Sequence, residues 1–501
     1  MNYRKAVSYL AVVLVGLIGL SMLLNAQTIK VGVIMEIRGF DPYYTGGDQI
    51  PVTEQIYDKL LNSTVEGTIE PALAASYEIL DEDSVALTLR DDVVFHDGTP
   101  LVAQHIADLI ELIKDPAIGY AMTEFANAVG EVEIIDDHQL IIHLADGTAT
   151  WAIDRLSYFS VPAPWDQPWE QSGIGTGPFV FEAWEPGIRV TMNKNPDYWR
   201  DGFPKSDRLE WYFYDSPRTM IDAMKQEQID WAITIPFENA LEVKSDPNMT
   251  VVAAGLPAHD VIVLNGALFE PFKDKLVRQA INYALDRQAF AEVAYFGYGK
   301  PINSPVFEFD AYYQPWHDEM YYYDLDKARR LLELAGYADG FEFTLLSKTG
   351  NTQHKPVSEI LKEDLAKIGV TVNIDIRETT SYKAALWGGE TDAVISGMTR
   401  IWGPTEAFNV VWGYLSENPY WEGGTPYQPY VDALTRLTNA VSEEEKQAEF
   451  HRTVFEWLDG SWAIYFCTRP RLFGANNYIE FTENPWTRAQ QIEAMYASKV
   501  E

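Results

Sequence analysis

A chain of 501 residues is longer than one hydrophobic core can organise and predicts several domains. Hydrophobic residues make up 47% and charged residues 22%, ordinary for a globular protein, but 74 acids against 38 bases leave a formal charge of −36. Such a field repels nucleic acid and anionic membranes, which excludes both as partners, and the single cysteine, Cys467, rules out an intrachain disulfide.

Residues 1–26 carry Arg4 and Lys5 ahead of a long apolar run ending at Asn25-Ala26. This predicts a secretory leader cut after Ala26, with a retained membrane anchor as the alternative; no cysteine stands at its end to take a lipid. Residues 28–35 read as a buried strand, broken by Gly39-Phe40-Asp41-Pro42, and a helix is expected over 52–61. VALTL alternates as a half-buried strand, and Thr99-Pro100 opens a helix over 101–113. His96, His105, His138 and His143 lack HxxxH or HExxH spacing, so they read as structural or surface groups and no metal is expected. Proline and tryptophan crowd residues 162–172, as in a chain crossing between domains.

Gly173, Gly175 and Gly177 then lead into two alternating runs, FVFEAW and IRVTMN, separated by Glu185-Pro186-Gly187. A strand follows the glycines where a phosphate loop needs a helix, so the segment reads as a β-hairpin. Further elements follow as helix 219–226, strand 229–235, helix 237–243, strand 261–265 and a long helix over 276–295. Arg278 and Arg287 on that helix read as surface ion pairs, with ligand carboxylates as the alternative. The order helix 324–337, strand 341–346, helix 354–368, strand 370–376 predicts a parallel pairing with a crossover helix. Residues 392–413 begin as a strand that breaks at Gly403-Pro404; Ser442 caps a helix to Gly460, and strand 463–466 leads to a buried Cys467.

The strings GTGPFVFEAWEPGIRVTMNKNPDYW, FHDGTPLVAQHIADLI, VRQAINYALDR with GYGKPINSPV, DKARRLLELAGY and LKEDLAKIGVTVNI together resemble the family 5 extracellular solute-binding proteins, the peptide-, nickel- and oligosaccharide-binding components of ABC importers. The resemblance implies an α/β, two-lobed periplasmic-binding-protein fold of type II, cluster C, with an extra inserted domain and an interlobe ligand cleft. The implied division is domain I from 27–62, 166–262 and 476–501, an inserted domain II from 63–165, and domain III from 263–475. It further implies a periplasmic, non-lipidated monomer without cofactor that delivers a small solute to an inner-membrane ABC permease.

Site residues follow from the same resemblance. Tyr43 and Tyr44 lie after the Asp-Pro turn at the cleft mouth, as ligand contacts or as packing residues. Gly397, Met398 and Thr399 fall where peptide-binding relatives lay a strand along the ligand. Those relatives carry an aspartate soon afterwards for the peptide ammonium, whereas here Arg400 follows and no acid appears before Glu406. A buried ammonium needs an anionic partner, so Glu406 or Asp48 would have to supply it. Trp402 and Trp421 offer stacking faces, and His259 completes the set. A peptide or similar solute is expected, with an oligosaccharide or an opine-like carboxylate drawn by Arg400 as alternatives. A secreted hydrolase is the alternative of another class, but no HExxH or GxSxG motif is present.

Overall fold

A computed structural model describes residues 27–34, 36–43, 50–64, 68–115, 122–145, 149–163, 173–254, 258–310, 312–349, 351–399, 420, 428–481 and 494–500. The expected leader, residues 1–26, and nearly all of the proline- and tryptophan-rich stretch lie outside these. Among the described residues, no helix is long and apolar enough to cross a membrane.

Three larger sheets carry the architecture. A seven-stranded mixed sheet runs Met249–Ala254, Arg471–Asn476, Trp231–Ala232, Thr28–Ile34, Arg208–Tyr214, Arg189–Lys194 and Phe179–Glu185. A five-stranded sheet runs Thr371–Arg377, Glu342–Lys348, Ala393–Thr399, Ala258–Leu264 and Ala463–Thr468. Its first two strands are parallel, Glu342 opposite Thr371, with helix His354–Ala366 between them in sequence, as the β-α-β pattern predicts. The third sheet is antiparallel, in the order Ala74–Asp81, Ser84–Leu89, Gln139–Leu144 and Val129–Ile134, and helix Ala103–Ile113 packs over it on Ile106, Leu109, Ile110 and Ile113.

The expected hairpin forms, with Phe179–Glu185 antiparallel to Arg189–Lys194 and Gly187 in the turn at φ +72°. Its glycine turn closes on protein groups. Gly177 N–H donates to the Ile56 carbonyl at 2.9 Å, and Gly175 N–H donates to His96 Nδ1 at 3.3 Å. With Nδ1 accepting, the His96 proton sits on Nε2, which reaches the Gly177 carbonyl at 3.0 Å.

These contacts also explain a correction. The helix expected over 52–61 is a single turn, Ile50–Thr53, because the carbonyls of Gln55 and Ile56 accept from Phe179 and Gly177 instead of from the next helical turn. The helix expected over 276–295 stops at Ala284. Asp286 caps Ala289 with its side chain, while its own N–H is held by the buried carboxylate of Asp364 at 2.9 Å. Strand 229–235 shrinks to Trp231–Ala232. Arg278 and Arg287 are not the surface groups expected. Both are buried and donate to main-chain carbonyls, Arg278 to Gly460 at 2.7 Å and Arg287 to Tyr465 at 2.9 Å. Gly460 ends the capped helix Glu443–Gly460, where a guanidinium also meets the negative end of the helix dipole.

Three cores fill the layers. One lies under the four-stranded sheet, and a second lies on one face of the seven-stranded sheet around Trp211 and Trp231. The third runs from helices Pro217–Lys225 and Phe237–Lys244 on the other face into the whole five-stranded unit.

Candidate functional site

Two strands leave the seven-stranded sheet and enter the five-stranded one side by side. Met249–Ala254 pairs antiparallel with Arg471–Asn476 in the first sheet, and Ala258–Leu264 pairs antiparallel with Ala463–Thr468 in the second. Arg469 N–H bridges the crossing to the Ala258 carbonyl at 2.7 Å. This ribbon places the first residues of Ala258–Leu264 and the last of Ala393–Thr399 beside the other sheet.

The chemistry at that edge centres on Asp260. The strand AHDVIVL is buried along its whole length and mostly apolar, yet it holds Asp260 at 0% exposure. Its Oδ2 accepts from the Tyr295 hydroxyl, and Oδ1 lies 3.4 Å from Arg469 Nε. Burial first, and then the Asp260 charge, push the Tyr295 hydroxyl far above its ordinary pKa, so it stays a donor. The Tyr295 ring meets the edge of Phe237 at 5.5 Å, and Phe237 heads a helix packed on the seven-stranded sheet. Tyr295 therefore touches both sides of the junction.

Lys348, at the end of Glu342–Lys348, is half-buried with its ammonium 5.6 Å from the Tyr382 ring centre. Burial and then the Arg469 charge push its pKa down. His354 takes the Lys348 N–H on Nδ1 at 3.3 Å, and burial brings its pKa down to about 4, so the ring is neutral at pH 7. Arg469, Lys348 and Asp260 thus form a charged group beside a neutral imidazole.

Of the residues singled out in the sequence, Gly397 is the Cα partner of Asp260, Met398 of His259 and Thr399 of Ala258, so these stand together at the junction. His259 turns to the opposite face, 3% exposed, with its ring 4.8 Å from Tyr465 and 5.7 Å from Phe307. Phe307 lines a cavity of about 250 Å³ with Tyr298, Ile302, Phe309 and Pro470. Tyr43 lies elsewhere, 3% exposed in the core beneath the four-stranded sheet, its hydroxyl donating to the Ser160 carbonyl. Tyr44, Asp48, Arg400, Trp402, Glu406 and Trp421 lie outside the described residues. Sequence reasoning missed Asp260, Arg469, Lys348 and His354. The one available signal was a carboxylate inside an apolar strand, which calls for a partner.

Comparison with known proteins agrees with this architecture. A profile described as "Bacterial extracellular solute-binding proteins, family 5 Middle" matches residues 68–420. The glutathione-binding protein GsiB of Salmonella typhimurium is 28% identical over 378 residues, covering 73% of this chain and 72% of its own. GsiB of Escherichia coli K12 is 25% identical over 474 residues, 92% of this chain and 88% of its own. Among solved structures, the PBP AgaA of A. tumefaciens R10, in complex with agropinic acid, is 25% identical with a TM-score of 0.75, covering 95% of this chain and 99% of its own. The substrate-binding protein CtaP of Listeria monocytogenes shares the fold at a TM-score of 0.83 and 19% identity, over 95% of this chain and 100% of its own.

Proposed function

The chain belongs to the bacterial extracellular solute-binding proteins of family 5, the substrate-binding components of ABC transporters, and from that premise we propose that it captures a peptide or similar small solute between two lobes and hands it to an inner-membrane permease. One lobe is built on the seven-stranded sheet with the four-stranded domain inserted in it, and the other on the five-stranded sheet; one strand of the first ends at Ala254 and one of the second begins at Ala258, and the chain returns between Thr468 and Arg471. The observation that carries the reading is this paired crossing with charged side chains at its edge, since a two-strand connection permits rotation of one lobe on the other. A ligand bridging both lobes would select the closed arrangement. The protein acts as a periplasmic monomer after removal of residues 1–26. Its relatives are binding proteins, and the secreted-hydrolase alternative finds no support among them.

A thermal-shift screen tests this directly. Peptides, glutathione, opines and oligosaccharides are added in turn, and a true ligand at 100 times its Kd adds about 2.7 kcal/mol of stability. Conversion of that ligand on prolonged incubation would overturn the binding reading.

A further inference from the structure

The charges at the edge of the five-stranded sheet are paired without being saturated. Asp260 Oδ1 and Arg469 Nε attract one another at 3.4 Å, but neither has a hydrogen-bond partner among the described residues. The same holds for buried Ser347 Oγ and His354 Nε2, and because His354 Nδ1 accepts from the Lys348 main chain, it is Nε2 that carries the ring proton. A buried polar group left unmatched costs about 1–3 kcal/mol, so four such atoms at one end of a sheet need an explanation. They do share one end, since Glu342–Lys348 is parallel to Ala393–Thr399 and Ala258–Leu264 is antiparallel to it.

Three features give that end a preference. Arg469 is only partly covered, at 29% side-chain exposure, so its guanidinium reaches the surface while Asp260 beneath it does not. Gly397 is exposed and packs directly against the pair with no side chain between: a Cβ there would lie 2.5 Å from Asp260 Oδ1 and 3.0 Å from Arg469 Nη2. Among the described residues, the charges acting on Lys348 are those of Arg469, Lys383 and Asp260, so with Lys348 itself three cations face one anion there. In a chain of formal charge −36 this is a cationic exception.

We propose that this edge is an anion subsite in which Arg469, oriented by Asp260 and reached across Gly397, takes a carboxylate of the bound solute, with the half-buried Lys348 as a further donor. The planar fork of a guanidinium matches a carboxylate. A dianionic phosphate is disfavoured by the Asp260 charge alongside. Asp260 is a positioning residue, because it lies under the arginine and is closed to solvent. The inference rests on the solute-binding reading and names the chemistry that reading leaves open.

Calorimetric titration with two matched pairs tests it: the dipeptide Met-Leu and its C-terminal amide, and glutathione and its diamide, with a neutral oligosaccharide as the uncharged control. The acids are expected to bind at least about tenfold more tightly than their amides. Arg469→Gln is expected to weaken the acids about tenfold or more and to leave the amides unchanged. Lys348→Gln, at a half-buried position, is expected to weaken the acids about threefold and keeps the test open should the arginine variant misfold. Equal binding of acid and amide, acid affinities untouched by both variants, or binding of the oligosaccharide alone would each overturn the anion subsite and leave the solute-binding reading standing. Absence of binding by every probe would count against both.

Discussion

The glycine turn of the hairpin and Gly397 both lack room for a methyl group, yet what crowds them differs. A Cβ on Gly175 would lie 2.2 Å from the Ile56 carbonyl oxygen and 2.6 Å from Tyr57 Cδ1, so main chain is pressed against main chain and a buried ring. The polar groups of that turn are answered: Asn195 Nδ2 donates to the Gly177 carbonyl at 2.9 Å, and His96 N–H donates to the Gly175 carbonyl at 2.8 Å. At Gly397 the close neighbours are the ends of two charged side chains, and their hydrogen-bonding capacity is not used up. The first corner closes a scaffold, and the second brings charged groups up against an exposed main chain. Absence of a side chain is therefore ambiguous by itself, and the chemistry of the nearest atoms decides its meaning.

Substitutions separate the two corners. Asp260→Ala should have the largest effect, lowering stability in urea unfolding by about 3 kcal/mol, since it leaves Arg469 without its counter-ion and Tyr295 without its acceptor. Full stability in this variant would show that the pair is already solvated and would remove the contrast. Gly175→Ala should cost about 2–3 kcal/mol by overpacking against main chain that cannot move aside, with solute binding by the surviving folded fraction unchanged.

The two regions should also respond to pH with opposite signs. Beside the hairpin, Asp58 accepts from Trp199 Nε1 at 2.8 Å, Tyr198 at 3.1 Å and Thr176 at 3.1 Å, yet burial pushes its carboxyl up to about 6. Its folded pKa is raised, so its protonated form contributes stability that is complete below about pH 4 and lost as pH rises through about 6. His354 has a depressed folded pKa, so its contribution is present above about pH 6.5 and lost as pH falls through about 4. Stability measured from pH 4 to 7 should therefore flatten at its rising-pH loss in Asp58→Asn and at its acid loss in His354→Gln; identical profiles for the two would break the comparison. Gly397→Ala should be the mildest for the fold, about 1 kcal/mol, because the partly exposed Arg469 end can move aside even though Asp260 is held by Tyr295. Its signature would be weakened solute binding at nearly unchanged melting temperature.

The hairpin was legible because its signals are local: period-2 alternation, Gly187 at the turn, and a strand where a phosphate loop needs a helix. The helix expected over 52–61 failed for the converse reason, since the carbonyls of Gln55 and Ile56 are claimed by residues more than a hundred positions away. The strand Arg208–Tyr214, RLEWYFY, sits beside Thr28–Ile34 in the seven-stranded sheet but carries no alternation, because it is buried on both faces at its centre and escaped notice. At the site, the resemblance places Gly397, Met398 and Thr399 on one strand, while Asp48 and Glu406, the acids it points to, lie outside the described residues. A different acid, Asp260, faces Gly397 from the neighbouring strand, and its arginine comes from the returning crossing strand. Sequence order shows neither neighbour, because pairing register is a tertiary property.

The crossing ribbon has one more consequence. An antiparallel pair resists sliding, since a slip of one residue breaks its rungs and turns each side chain to the wrong face, while bending and twisting keep most rungs intact. Asp260, Gly397 and Lys348 stand at the end of the five-stranded sheet, whose register a rotation of the lobes would leave untouched, while Arg469 lies on the crossing itself. On the proposed solute-binding reading, the part of the seat built by Asp260, Gly397 and Lys348 would be in place before closure, and Arg469, on the crossing, would be the part that bending re-aims.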